Sequence, residues 1–170
     1  MKIRLLSPLF PLRAALFGAS LLTAGFAFAA DAPANNKCPM MTEDEVEEDN
    51  EVEFKGVPVA LCCGKCSKIW EADEKVAAYY VKVATELGLL PQFKGKEKEL
   101  GLDTIELLPQ RYCAIHQKSL ISPSSPFVEY QGQKVYFFND KAKQRWEKDP
   151  EAAAKKAIDA GVLPQLKKDS

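Results

Sequence analysis

The pattern of hydrophobic and polar positions predicts a short hairpin in the first half of the chain. Residues 52–54 and 57–61 are rich in β-prone side chains and flank the dipeptide Lys55-Gly56. A dipeptide ending in glycine between two such runs is typical of a two-residue hairpin turn. Because Pro58 lacks a backbone donor, we expect its strand to lie at a sheet edge.

Helical periodicity follows this hairpin. We expect a short helix at residues 66–72, and Asp73 is a good N-cap for a second helix. Gly88 fits the left-handed position just beyond the end of that second helix. Apolar side chains at i, i+3, i+4, i+7 and i+11 predict that it is amphipathic: Val76, Tyr79, Tyr80, Val83 and Leu87.

The same succession of residue types then occurs a second time. The offset between matching residues is 75 at the first cysteine of each stretch, 76 through the hairpin and tryptophan, and 73 at the closing Gly-x-Leu-Pro-Gln. The matching segments are Cys38-Pro39 with Cys113-Ala114, 52–56 with 128–132, 59–61 with 135–137, Trp70-Glu71 with Trp146-Glu147, and 88–92 with 161–165. Many matches in one order indicate duplication.

The repeat predicts an α+β fold of two small modules, each with a knuckle-like turn, a β-hairpin and following helices. In the second copy we expect strands at 127–130 and 134–138 and a helix at 141–148. Pro150 would then occupy the first position of a helix capped by Asp149. We expect the equivalent Trp70 and Trp146 to anchor the two cores.

The first 29 residues predict a secretory signal peptide. Three basic residues, Lys2, Arg4 and Arg13, precede an uncharged run at 14–30 that contains the small-x-small cleavage pattern Ala27-Phe28-Ala29. The alternative is an uncleaved membrane anchor, but a run of 17 residues rich in Ala and Gly is short for a span. The expected location is therefore periplasmic or secreted, with no membrane span after cleavage.

These patterns divide the chain into six segments. They are a signal peptide (1–29), a flexible mature N-terminus (30–36), a first module with the cysteine cluster (37–93), a linker (94–105), a degenerate second module (106–167) and a tail (168–170). The whole chain has a net charge of -1, and removing the leader leaves 20 basic and 24 acidic residues, a net charge of -4. The charge therefore gives no indication of a basic face that would bind nucleic acid. The acidic run at 43–51 is either a solvated loop or an entrance that attracts cations.

Four of the five cysteines fall in the first module. Cys38 lies at its start, whereas Cys62, Cys63 and Cys66 lie where the hairpin ends and a helix begins. If the hairpin brings these regions together, three or four thiolates converge on one ion, and thiolates favour Zn(II), Cu(I) or iron–sulfur chemistry over hard ions. Successive strand residues point to opposite faces, which leaves open whether Cys62 or Cys63 is a ligand.

Four further residues are candidate accessory ligands. A thioether from Met40 or Met41 would favour Cu(I), although both could simply pack. In the second copy Phe138, Asn139 and Ala142 replace the cysteines, which leaves Cys113 with His116. That pair could form half of a zinc site, complete the first site, or belong to a degenerate knuckle held by packing.

The first copy resembles the YHS/TRASH-like family of treble-clef-like, heavy-metal-binding modules found in exported bacterial proteins. The resemblance is carried by Cys38-Pro39-Met40-Met41, the hairpin around Gly56, Cys62-Cys63-Gly64-Lys65-Cys66 and Trp70-Glu71. It covers residues 37–75, and a weaker match covers 112–151. The family implies Cys38, Cys62 and Cys66 as ligands with Cys63 adjacent. The acidic insert at 43–51 departs from the family pattern.

Three classes of function follow from these observations. The first is a non-enzymatic exported protein that holds one Zn(II) or Cu(I) ion, either structurally or for exchange with another exported metal-handling protein. The second is a thiol–disulfide redox protein that uses Cys63 and Cys66, although no βαβ pattern surrounds this C-x-x-C. The third is a non-catalytic interaction module.

Overall fold

A computed structural model describes residues 33–167 of the chain. The predicted signal peptide (1–29) and tail (168–170) lie outside the described residues. Within residues 33–167 the fold is mixed α+β, with two small antiparallel hairpins and four helices. None of these helices is long and apolar enough to cross a membrane.

The first hairpin forms where the sequence predicts it. The elements of this half are β1 (Glu51–Phe54), β2 (Val57–Ala60), α1 (Gly64–Ala72), α2 (Glu74–Glu86) and a 3-10 helix (Pro91–Phe93). Phe54 pairs with Val57. Lys55 and Gly56 between them have φ values of 50° and 78°, and positive φ at both positions is what a type I′ turn requires. Pro58 lies opposite Glu53 in a two-stranded sheet, so its strand is an edge.

The predicted cap and terminating glycine of α2 are present, but one residue of its predicted apolar pattern is exposed. Asp73 accepts a hydrogen bond from the Lys75 N–H at 2.7 Å, and Gly88 has a φ of 75° just beyond α2. Leu87, however, is 42% exposed. Leu87 thus does not share the burial of Tyr79, Tyr80 and Val83, because α2 ends at Glu86 and Leu87 is its C-cap residue.

The second half has the same order of elements as the first. They are β3 (Phe127–Tyr130), β4 (Gln133–Tyr136), α3 (Asp140–Lys148), α4 (Pro150–Asp159) and a 3-10 helix (Pro164–Leu166). Gln131 and Gly132 again both have positive φ, 51° and 75°. Asp149 accepts a hydrogen bond from the Ala152 N–H at 3.0 Å, and Pro150 occupies the first turn of α4, as the sequence predicts.

A buried side-chain amide holds each hairpin to the chain that precedes it. Asn35 donates to the Ala60 carbonyl at 2.8 Å and accepts from the Ala60 N–H at 3.2 Å. Gln110 bonds the same two backbone groups of Tyr136, at 2.8 and 2.9 Å. Asn35 lies in the segment expected to be flexible (30–36), and it is only 5% exposed. Its side chain therefore packs with the first module.

The glutamine of each Pro-Gln pair completes this network. Gln92 donates to Asn35 Oδ1 at 3.3 Å and to the Pro58 carbonyl at 3.2 Å. Gln165 donates to Gln110 Oε1 at 3.2 Å and to the backbone carbonyl of β4 at 3.1 Å. The two halves thus share a hydrogen-bond pattern as well as an order of elements.

Each half has its own hydrophobic core, with a tryptophan in it. Trp70 is buried in the first core and Trp146 in the second, as predicted. Leu102 lies in the predicted linker (94–105), yet it is fully buried in the first core. The linker therefore packs on the first half, since Leu100 and Ile105 also lie against the first core.

The two halves meet through backbone hydrogen bonds near their cysteine turns. We call residues 38–41 the first knuckle and residues 113–116 the second knuckle. Leu120 donates to the Met40 carbonyl at 2.8 Å, and the Thr42 N–H donates to the Lys118 carbonyl at 2.9 Å. Leu120 is also buried in the first core, so residues 118–120 of the second half lie against the first knuckle.

Candidate metal centre

Three cysteines from two distant segments come together in the first half. The Sγ atoms of Cys38, Cys62 and Cys66 all lie within 4.8 Å of one another. Cys38 belongs to the first knuckle, Cys62 lies between β2 and α1, and Cys66 lies in the first turn of α1. The β1–β2 hairpin therefore brings the two ends of the segment together, and this cluster could hold a metal ion.

Cys63 extends the sulfur cluster. Its Sγ lies 3.8 Å from that of Cys62 and 3.8 Å from that of Cys66, while Cys62 and Cys66 are 3.7 Å apart. Four sulfurs bonded tetrahedrally to one ion at about 2.3 Å are separated by about 3.8 Å. The sulfurs of Cys62, Cys63 and Cys66 form a triangle whose sides match the sulfur–sulfur distance of a tetrahedral thiolate site. The Cys38 sulfur lies within 4.8 Å of those of Cys62 and Cys66.

Cys62 and Cys63 direct their sulfurs to the same cluster. Strand geometry does not govern them, because β2 ends at Ala60. The chain then turns, with Cys63 as the N-cap residue of α1. This turn places two consecutive sulfurs beside that of Cys66. Of the two, only Cys62 belongs with Cys38 and Cys66 to the group of sulfurs within 4.8 Å of one another, and Cys63 is adjacent to it.

The cluster is mostly enclosed by the first core. Cys38 is 0% exposed, Cys62 8% and Cys66 1%, whereas Cys63 is partly exposed. Enclosed thiolates need hydrogen-bond donors or a cation to compensate the lost hydration. The Met41 N–H supplies one such donor, 3.4 Å from Cys38 Sγ.

The four thiols differ in how readily they lose a proton. The hydrogen bond from Cys66 and the backbone donors of the knuckle lower the pKa of Cys38 to about 6. That same bond to Cys38, followed by burial, raises the pKa of Cys66. Burial also raises the pKa of Cys62. Burial alone would raise the pKa of Cys63 too, but the N–H groups of Cys66 and Lys65 lower it below its usual value. An arriving cation would therefore displace protons chiefly from Cys62 and Cys66.

The methionines of the first knuckle pack in the core. Met40 is fully buried among the first-core residues, and Met41 lies partly buried against them. Their burial agrees with the alternative in which both methionines pack rather than bind the ion through a thioether.

The second knuckle repeats the first without its cluster. The His116 N–H donates to Cys113 Sγ at 3.2 Å, as the Met41 N–H does to Cys38. Cys113 is fully buried in the second core. Among the described residues neither Cys113 nor His116 belongs to the metal-binding group of cysteines. Burial, and then the charge of Arg145, lowers the pKa of His116.

Other side chains occupy the second half's equivalent of the cysteine cluster. Phe138 packs against both cores, and Ala142 is fully buried. Asn139 caps α3, because its Oδ1 accepts the Ala142 N–H at 2.9 Å. The second half therefore fills this region with an apolar ring and a helix cap.

The acidic segment borders the cluster, a contact that the sequence did not reveal. The Glu47 N–H donates to the Leu61 carbonyl at 2.9 Å, and the Leu61 N–H donates to the Asn50 carbonyl at 2.8 Å. Only long-range pairing fixes this contact, so no local pattern signals it. Glu43 also pairs with Lys118 at 2.8 Å. The segment is thus a loop attached beside Cys62.

Comparisons test whether the site has a known counterpart. A comparison of the chain with known protein families, curated proteins and solved structures found no match. The metal-binding interpretation therefore depends on the geometry of the cysteines.

Proposed function

We propose that this chain is an exported protein that binds one soft metal ion, Zn(II) or Cu(I), and acts by binding rather than by catalysis. The ligands are Cys38, Cys62, Cys63 and Cys66. The observation that carries this proposal is the sulfur triangle with edges of 3.7–3.8 Å, with Cys38 beside it. Thiolates in this number select soft or borderline ions.

The two halves support a second part of the proposal, that they are copies of one treble-clef-like module. Their identical order of elements and their matching Asn35 and Gln110 networks favour duplication. The resemblance to the YHS/TRASH-like family agrees with a treble-clef-like module whose second copy has lost its ligands. The basic and then apolar leader at residues 1–29 supports a periplasmic or secreted location, where another metal-handling protein would exchange the ion.

Elemental analysis of residues 30–170, purified under reducing conditions with added Zn(II), tests the metal site. We expect one zinc per chain in the unsubstituted protein and little or none in Cys66→Ser, because this change removes a buried corner of the triangle. Cys113→Ser is the matched control, since it alters a buried cysteine outside the cluster, and it should keep the zinc. Equal zinc contents in Cys66→Ser and the unsubstituted protein would contradict the assignment.

The spacing of Cys63 and Cys66 supports one alternative function, thiol–disulfide exchange. Their sulfurs are 3.8 Å apart at the start of a helix, and such a pair can close to a disulfide. Mass spectrometry after treatment with oxidised glutathione would distinguish the two functions. A redox protein should lose two hydrogens reversibly and hold no zinc, whereas a metal-binding protein should have thiols that a chelator makes accessible.

A further inference from the structure

We infer that Cys63 is the exchanging ligand, through which the ion enters and leaves, whereas Cys38, Cys62 and Cys66 form the retaining part of the site. This inference rests on the proposed function. It goes further by assigning different roles to sulfurs that the sequence presents as one cluster.

Exposure separates Cys63 from the other three cysteines. Cys38, Cys62 and Cys66 lie within the first core, whereas Cys63 lies at its edge and is partly exposed. The next two residues, Gly64 and Lys65, are exposed. Gly64 has no side chain to cover the sulfurs, and a Cβ there would meet only Asn50 Oδ1, at 3.6 Å. An incoming ligand can therefore reach the cluster on the Cys63 side.

The backbone around Cys63 suits a sulfur that leaves the ion and returns. Cys63 is the N-cap residue of α1. Cys63 makes no side-chain cap hydrogen bond, but the nearby N–H groups of Cys66 and Lys65 lower the pKa of its thiol, because N–H groups at a helix start stabilise a negative charge. A thiolate released from the ion would thus remain beside donors rather than in an apolar environment.

The second half shows that the fold does not need a cysteine at this position. Asn139 occupies the place of Cys63 and caps α3 through the Ala142 N–H. Cys63→Asn therefore removes the thiol while supplying a good N-cap. Cysteine at an N-cap is not required for packing, which leaves its sulfur free to serve exchange.

The exchange step is a ligand substitution that leaves the oxidation state of the ion unchanged. The acceptor's thiol loses its proton as its sulfur bonds to the ion. The bond between the ion and Cys63 Sγ breaks, and Cys63 takes up one proton. Repetition with further acceptor thiols then frees the buried sulfurs.

Zinc transfer to the chelator 4-(2-pyridylazo)resorcinol tests the inference in the full mature chain. We expect Cys63→Asn to keep one zinc per chain and to transfer it about tenfold faster, because the step that opens the site is already complete. Cys62→Ser, the matched control at the neighbouring sulfur, should bind less than one zinc per chain. Circular dichroism of each metal-free variant checks that it folds, and Cys63→Ser provides a second variant at the same position.

Alkylation of the zinc-loaded, unsubstituted protein with iodoacetamide gives an independent readout. Peptide mass spectrometry should find Cys63 modified first, with the three buried cysteines protected. The inference is overturned if Cys63→Asn loses zinc as Cys62→Ser does, if its transfer rate is unchanged, or if another cysteine of the cluster reacts first. Absence of zinc from the unsubstituted protein would instead refute the proposed function itself.

Discussion

Single buried polar residues hold each half of this molecule together. Gln110 is only 1% exposed, and it bonds both backbone groups of Tyr136 and the Tyr112 carbonyl. The sequence predicted the closing Gly-x-Leu-Pro-Gln as part of the repeat, but it gave no sign of the partner of its glutamine. That partner lies 55 residues away along the chain, beyond the reach of any local pattern.

At this scale we predict that Gln110→Ala lowers the free energy of unfolding by about 1–2 kcal/mol. The Tyr136 N–H loses its acceptor and the Tyr136 carbonyl loses one of two donors, since the Ala114 N–H also bonds it at 3.4 Å. Urea denaturation followed by circular dichroism measures the change. Gln133→Ala, at an exposed position of β4, should change it by less than about 0.5 kcal/mol. Similar losses in the two variants would show that the Gln110 network contributes little.

At the scale of elements, local chemistry predicts the turns and caps, while tertiary packing decides what is buried. Lys55-Gly56 and the Asp149 cap could be predicted because each depends on a few neighbouring residues. The burial of Leu102 and the exposure of Leu87 could not be predicted, because they depend on how the linker packs on the first core and on where α2 ends. The sequence also identifies the four clustered cysteines. The proximity of the Cys62 and Cys63 sulfurs could not be predicted, because it depends on the turn after β2.

The cap of α4 provides the prediction for this scale. Asp149→Ala should lower the free energy of unfolding by about 1 kcal/mol, because the Ala152 N–H loses its acceptor. Asp149→Asn should retain most of the stability, since asparagine caps helices equally well. Thermal denaturation of both variants tests this, and an Asp149→Asn loss as large as that of Asp149→Ala would indicate that charge rather than capping matters.

At the scale of the whole molecule, the two halves share an order of elements but differ in what fills the region between hairpin and helix. The first half places four thiols there, and the second places Phe138 and a capping Asn139. An ion that binds only the native state stabilises it. We therefore expect zinc to stabilise the first half more than the second.

Hydrogen exchange followed by mass spectrometry tests this difference. Removal of zinc with a chelator should increase exchange in β2 and α1, whereas β4 and α3 should change little. Cys66→Ser with and without zinc is the control, since its exchange should not respond to the metal. Equal changes in the two halves would show that they unfold as one unit.

Zinc affinity should also fall as the pH falls. Ion binding displaces protons from Cys62 and Cys66, whose pKa values are raised by the causes given above, so affinity should rise with pH through neutrality. Below about pH 6 Cys38 is protonated as well, and the decline should steepen as a further proton must be displaced. Competition titrations between about pH 8 and about pH 5 measure this dependence, and a flat profile would contradict thiolate ligation.

Backbone hydrogen bonds connect the first knuckle, which carries Cys38, to residues 118–120 of the second half. Leu120 and Lys118 bond the backbone of Met40 and Thr42, on either side of Met41 and close in sequence to Cys38. Residues 118–120 continue directly into the second core at Ile121, so these hydrogen bonds join the first knuckle to the second core. The backbone of the second half thus supports a knuckle that carries one of the clustered cysteines, although that half contributes none of them.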